Sequence, residues 1–189
     1  MRAFIAIELP ASIKDALSKI QDELKAVLPK VNWVKPQNLH LTLKFLGEIS
    51  PGQLDAIKHI ITEVSQGTAV FKIKLDDLGV FPDLRQARTI WIGINQDTIA
   101  KQIAGLLETK VAGIGIAKEK REFSSHITIG RIKIPLNPVD LERELKKAKN
   151  DVVYANMEFN TGGITLFKSV LGPAGAAYTV LKEANFTIT

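Results

Sequence analysis

Two short segments, His40-Leu41-Thr42-Leu43 and His126-Ile127-Thr128-Ile129, each set an imidazole two residues ahead of a hydroxyl within an apolar alternation. Imidazole titrates near neutrality, so one member of a pair can accept a proton while the other donates one. Two imidazoles on opposite sides of a phosphorus atom suit in-line displacement on a phosphodiester. Threonine hydroxyls would donate hydrogen bonds to the non-bridging oxygens, and a nearby cation would stabilise the charge developing there. The chain has 12 threonines in 189 residues. Two of its three histidines meeting Thr two places on is then a coincidence of roughly 1%.

Both segments read as strands, in which side chains alternate faces. His40 and Thr42 share one face, as do His126 and Thr128. Leu41, Leu43, Ile127 and Ile129 point the other way, into a core. Arg131, three residues past Thr128, reads on its own as an exposed strand-end arginine. Strand parity places it opposite His126 and Thr128, so it reaches the same cleft only if the strand ends or bulges at Gly130. Trp33, Phe45 and Phe123 could stack on a base, though packing is the default for each. His59 has no Thr partner and reads as a surface residue of a helix. Ser124 and Ser125 precede His126 without a nucleophile elbow. Gly113-Ile114-Gly115 lacks the rest of a phosphate loop. With no Cys and only two motif histidines, no three-ligand metal spacing is visible, and no cofactor is expected.

The elements that must position these groups follow from periodicity and punctuation. Strands are expected at Phe4–Leu9, Leu39–Leu46, Val70–Leu75, Thr89–Ile94, Phe123–Ile129, Val152–Phe159, Ile164–Val170 and Tyr178–Thr187. Gly79 and Pro82 are read as breaks. Helices are expected over 12–28, from Ser50-Pro51 to Ser65, from Asp97 or Thr98 to Val111, and from Pro138 to Lys149. Shifting the chain by 86 residues lays His40 on His126, with helices and strands in matching order. The expectation is an α+β fold in one domain, 1–189. It has two pseudo-symmetric, interleaved lobes from an internal duplication, each an antiparallel sheet backed by helices, around a central cleft.

Composition narrows the class. Hydrophobic residues make up 46% and charged residues 24%, ordinary for a globular protein. A disulfide framework and thiolate metal sites are excluded. No apolar run approaches the ~18 residues of a membrane span, and the opening MRAFIAIELP is not a signal peptide. A cytoplasmic protein is expected, with neither a membrane nor an obligate protein partner. The net charge of +5 is local. Lys30, Lys35 and Lys44 stand without an acid in 30–44. Lys118, Lys120, Arg121, Arg131 and Lys133 outnumber Glu119 and Glu122 in 118–133. This placement favours an anionic ligand.

With its paired His-x-Thr-x motifs, the chain resembles the 2H phosphoesterase superfamily. Within it, the chain is similar to the RNA 2′,3′-cyclic phosphodiesterases, also called 2′-5′ RNA ligases. The resemblance covers nearly the whole chain. It includes Arg2-Ala3-Phe4-Ile5-Ala6-Ile7-Glu8-Leu9-Pro10 and the run from Trp33 to Gly47. It continues through Phe81-Pro82, Thr89-Ile90-Trp91, His126 to Arg131, Ile164 to Ser169, and Gly175 before Tyr178. Ser125 departs from the pattern, since relatives often have proline there. The resemblance implies hydrolysis of RNA 2′,3′-cyclic phosphate to a 2′-phosphomonoester without metal. It also implies joining of 5′-hydroxyl RNA ends through a 2′-5′ linkage, with RNA ends, tRNA fragments among them, as partners. By family assignment His126 is the proton acceptor, His40 the proton donor, Thr42 and Thr128 catalytic hydrogen-bond donors, and Arg131 a phosphate contact. The sequence's own pseudo-symmetry leaves the two histidines interchangeable. Alternatives are a small-nucleotide cyclic phosphodiesterase acting on, for example, ADP-ribose cyclic phosphate, and a non-catalytic RNA or nucleotide binder.

Overall fold

A computed structural model describes residues 1–95, 97–151, 157–173 and 175–188. Its strands are β1 (Arg2–Glu8), β2 (Val31–Trp33), β3 (His40–Glu48), β4 (Lys72–Phe81), β5 (Thr89–Asn95), β6 (His126–Ile132), β7 (Glu158–Asn160), β8 (Gly163–Gly172) and β9 (Gly175–Asn185). The helices are α1 (Ala11–Val27), α2 (Pro51–Gln66), α3 (Thr98–Ala112) and α4 (Pro138–Asp151), with a 3-10 turn at Pro36–Asn38. All pairings between these strands are antiparallel. They form one curled sheet in the order β7-β4-β5-β6-β3-β1-β8-β9, with β2 added beside β6.

The two expected sheets, each backed by helices, are therefore joined. One half is β6-β5-β4-β7 and the other is β3-β1-β8-β9. They meet where the two motif strands pair through Leu41 and Ile127 alone. The halves exchange strands along the chain, since β4 follows the first motif but pairs within the second half, and β8 does the reverse.

The helices cover one face of the sheet because each carries an apolar stripe. Ile13, Leu17, Ile20 and Leu24 of α1, Ile57 and Ile61 of α2, Ile103 and Leu107 of α3, and Leu141 and Leu145 of α4 join one core. Leu41, Leu43, Ile127 and Ile129 belong to the same core. The opposite face of β1 carries a smaller cluster of Phe4, Ala6 and Phe167, with Tyr178 against it. Ser50 caps α2 through a reciprocal box with Gln53 and with Pro51 in the first turn.

Three expectations are corrected. Gly79 does not break its strand: β4 runs on to Phe81, and the glycine makes room for the Trp91 ring, which a Cβ there would overlap. The second motif strand begins at His126, not Phe123, and it continues to Ile132. The gap expected between the helix over 12–28 and the strand at Leu39 holds the short β2 and the 3-10 turn. Of the strand expected over Val152–Phe159, residues 152–156 lie outside the described residues. The remainder overlaps β7.

Candidate active site

The motif strands carry the same burial rhythm. Along His40–Leu46 and His126–Ile132 alike, half-buried and buried residues alternate for four positions. Two buried residues then come together, and an exposed one follows. The doubled step marks a β-bulge in each. Opposite β1, Ala6 pairs with Thr42 but Ile5 with Lys44, leaving Leu43 as the extra residue. Opposite β5, Trp91 pairs with Thr128 but Ile90 with Gly130, leaving Ile129 as the extra residue. A bulge inserts one residue and re-phases the side chains beyond it. Phe45 and Arg131 thereby return to the face of the His-Thr pairs.

Arg131 is the group that simple parity would have lost. It is exposed, with no ion pair or side-chain hydrogen bond among the described residues. Its charge acts on His40, His126 and Tyr178 together. Gly130 belongs to the same device: a Cβ there would lie 2.8 Å from Val31 Cγ1 and 3.2 Å from the Trp33 ring.

The two imidazoles are oriented alike. His40 Nδ1 lies 2.7 Å from the Asn38 carbonyl oxygen, and His126 Nδ1 lies 2.8 Å from that of Ser124. A carbonyl only accepts, so each Nδ1 carries the hydrogen and each Nε2 is the basic atom of the neutral ring. His40 Nε2 lies 2.9 Å from Thr42 Oγ1. In the neutral ring the hydroxyl donates to Nε2.

Their surroundings differ. His40 stacks on Phe4 at 4.8 Å and meets the edge of Tyr178 at 5.5 Å, with Phe167 behind Phe4. His126 meets Phe81 edge-on at 5.0 Å. Burial lowers the pKa of His40 to about 4, against the Asn38 hydrogen bond and with help from the charges of Arg131, Lys14 and His126. His126 is also lowered, first by burial and then by Arg131, against the Ser124 hydrogen bond. Removing a cation from water disfavours it, and a neighbouring cation adds to that. Beside His40 is a hollow of about 200 Å³ lined by Glu8, Lys14, Gln37, Asn38, Phe167 and Tyr178 among others.

The structure thus brings His40, Thr42, His126, Thr128 and Arg131 to one face. His59 stands apart, exposed on α2, and Ser125 is buried. Lys44, counted among the cations favouring an anionic ligand, is corrected. It is 3% exposed and bonds Glu108 and the Ala117 carbonyl, so its charge is spent inside the fold. Phe45, in contrast, is 53% exposed. Two groups escaped the sequence reading. Tyr178 entered only as a strand start and as part of the resemblance, with no sign of its place beside His40. Gln21 had a local signal, since it interrupts the apolar stripe of α1 between Leu17 and Leu24.

Fold and site together define a phosphoesterase of the two-histidine type. A family model described as LigT-like phosphoesterase matches residues 7–91. An RNA 2′,3′-cyclic phosphodiesterase of Methanocaldococcus jannaschii is 37% identical over 183 residues, covering 97% of this chain and 99% of that protein. The crystal structure of TT0787 of Thermus thermophilus superposes with a TM-score of 0.83 at 27% identity, covering 98% of each chain. That of Escherichia coli LigT complexed with 3′-AMP gives 0.77 at 29% identity, again over 98% of each. The chain belongs to the LigT-like phosphoesterase family.

Proposed function

We propose that this chain is a cytoplasmic hydrolase that opens RNA 2′,3′-cyclic phosphate ends to 2′-phosphomonoesters by acid–base catalysis without a metal ion. The observation that carries the reading is the pair of like-oriented Nε2 atoms on adjoining strands, with Arg131 re-phased onto their face. Relatives named RNA 2′,3′-cyclic phosphodiesterase at 34–37% identity supply the substrate class.

His126 Nε2 removes a proton from water as its oxygen attacks phosphorus. The bond from phosphorus to the 3′-oxygen breaks, and His40 Nε2 delivers a proton to that oxygen. Arg131, Thr42 and Thr128 hold the non-bridging oxygens, where charge accumulates. The aromatic cluster of Phe4, Phe167 and Tyr178 lies on the His40 side and supports this assignment. A nucleoside seated against it brings its own 3′-oxygen, the leaving group, next to His40. In the free protein His40 is neutral at pH 7, so it takes up a proton from solvent as the substrate binds: the phosphate anion favours the imidazolium. Once Nε2 is protonated it becomes the donor, and the Thr42 hydroxyl hydrogen turns to the phosphate. With an RNA 5′-hydroxyl in the place of water, the same transfers form a 2′-5′ linkage.

The test is a short RNA ending in 2′,3′-cyclic phosphate, incubated with the protein in EDTA, with products resolved by phosphate position. Release of 2′-phosphate at full rate is expected. Complete loss in EDTA with rescue by a divalent ion would overturn the metal-free mechanism, and a 3′-phosphate product would overturn the direction of opening.

A further inference from the structure

The β6 bulge turns Arg131 toward the histidines, and a single side chain of another element braces it. Gln21 of α1 is 1% exposed, one of the few buried polar residues in the described core. Its amide nitrogen donates to the carbonyl of Ile129 at 2.8 Å and to that of Val34 at 2.8 Å. Ile129 is the extra residue of the bulge. The Val34 backbone nitrogen also donates to the Ile129 oxygen, at 3.0 Å. One primary amide therefore spends its two hydrogens on two main-chain carbonyls, on the segment leaving β2 and on the bulge. Without the amide the Val34 carbonyl would lose this donor and the Ile129 carbonyl would keep only the Val34 N–H. A buried carbonyl short of donors costs free energy, so Gln21 favours the bulged over the regular strand.

Among the described residues, no side-chain amide braces the bulge of the first motif strand in this way. Its bulge at Leu43 is followed by Lys44, whose ammonium reaches the Ala117 carbonyl and Glu108 instead. The two halves thus use different devices at corresponding positions, and only the device on β6 lies behind a cleft cation.

We propose that Gln21 is a positioning residue for substrate phosphate: it acts through the bulge at Ile129 to hold Arg131 on the face of His126 and Thr128. The inference rests on the phosphate-binding role read above for Arg131. A regular β6 would send Arg131 to the opposite face, as its distance from His126 alone dictates. The hydrogen bonds of Gln21 oppose that regularisation.

The experiment is a double-mutant cycle between Gln21→Met, which keeps volume and removes the amide, and Arg131→Ala. KM and kcat are measured for a minimal 2′,3′-cyclic nucleotide, and the dissociation constant of inorganic phosphate is measured by calorimetry. In the Arg131 background, Gln21→Met is expected to raise KM and weaken phosphate binding about tenfold, a normal size for coupled neighbours. The fall in kcat should be smaller. In the Arg131→Ala background the same change should leave both constants within about twofold. Equal losses in both backgrounds would show that Gln21 supports the fold in general and would overturn the proposal. So would unchanged phosphate binding in folded Gln21→Met. Should Gln21→Met not fold, Gln21→Asn retains an amide with a shorter reach and is put through the same cycle under the same criteria. Phosphate binding is read without turnover. Coupling in calorimetry but no hydrolysis would therefore sustain the Gln21 inference while the hydrolase reading fails.

Discussion

The two histidines are built to the same plan and tuned differently. Both fix the Nδ1 hydrogen on a carbonyl two residues back, and both are pushed toward the neutral form by burial and by Arg131. His40→Ala and His126→Ala should each nearly abolish turnover, and the double variant should be little worse, because groups acting in one step are not additive. His59→Ala should match the wild type in the same assay. The lowered pKa values make a second prediction. The pH profile of kcat/KM reports the free enzyme and that of kcat the bound complex. The alkaline limb of kcat should lie at higher pH, because bound phosphate favours the protonated imidazole. Coincident limbs would remove His40 as the acid. At this scale the sequence was informative where chemistry is local: an imidazole and a hydroxyl two residues apart must share a strand face. It could not show the aromatic wall around His40, which gathers Phe4, Phe167 and Tyr178 from three strands.

Elements decide where those groups point. Apolar stripes and caps located all four helices, since helix period and end signals are local. The bulges were only partly legible. Gly130 marked where the strand could change phase, yet nothing at Leu43 or Lys44 announced a matching step. Ladder register depends on a partner strand that the local sequence does not name. Gly130→Ala tests the device at β6. The added methyl would press on Val31 and Trp33, and overpacking of this kind costs roughly 1–3 kcal/mol. The variant should unfold at lower urea concentration. If the crowding shifts β6, KM for a cyclic nucleotide should rise as well, because the shift carries Arg131 with it. Unchanged stability would mean that β2 yields freely there. Gly79 was misread for the same non-local reason: it looked like punctuation, but its role is to lie under a ring from the neighbouring strand.

Across the whole molecule, one apolar core runs under both halves of the sheet, and the buried Lys44 ammonium is paired at its edge with the half-buried Glu108. Removing one partner of such a pair strands the other charge. Glu108→Gln should cost about 3 kcal/mol in chemical denaturation, whereas Lys44→Met, which removes the buried charge itself, should cost less. Equal losses would place the energy elsewhere. His40 adds a pH dependence. Its folded pKa of about 4 lies below the ordinary 6.5, so between those values the unfolded chain binds more protons. Its contribution is present above pH 6.5 and is lost as pH falls toward 4. His40→Gln should flatten the stability curve in that window relative to wild type. The exchange of β4 and β8 between the halves bears on how the chain is made. A ribosome that has released only the first hundred residues has supplied β1 and β3 without β8, and β4 and β5 without β6. Neither half of the sheet is complete until β7 to β9 emerge, so assembly waits for these late strands. For the same reason a cut in the loop between α3 and β6 should give two pieces that are unfolded apart and fold together when co-expressed.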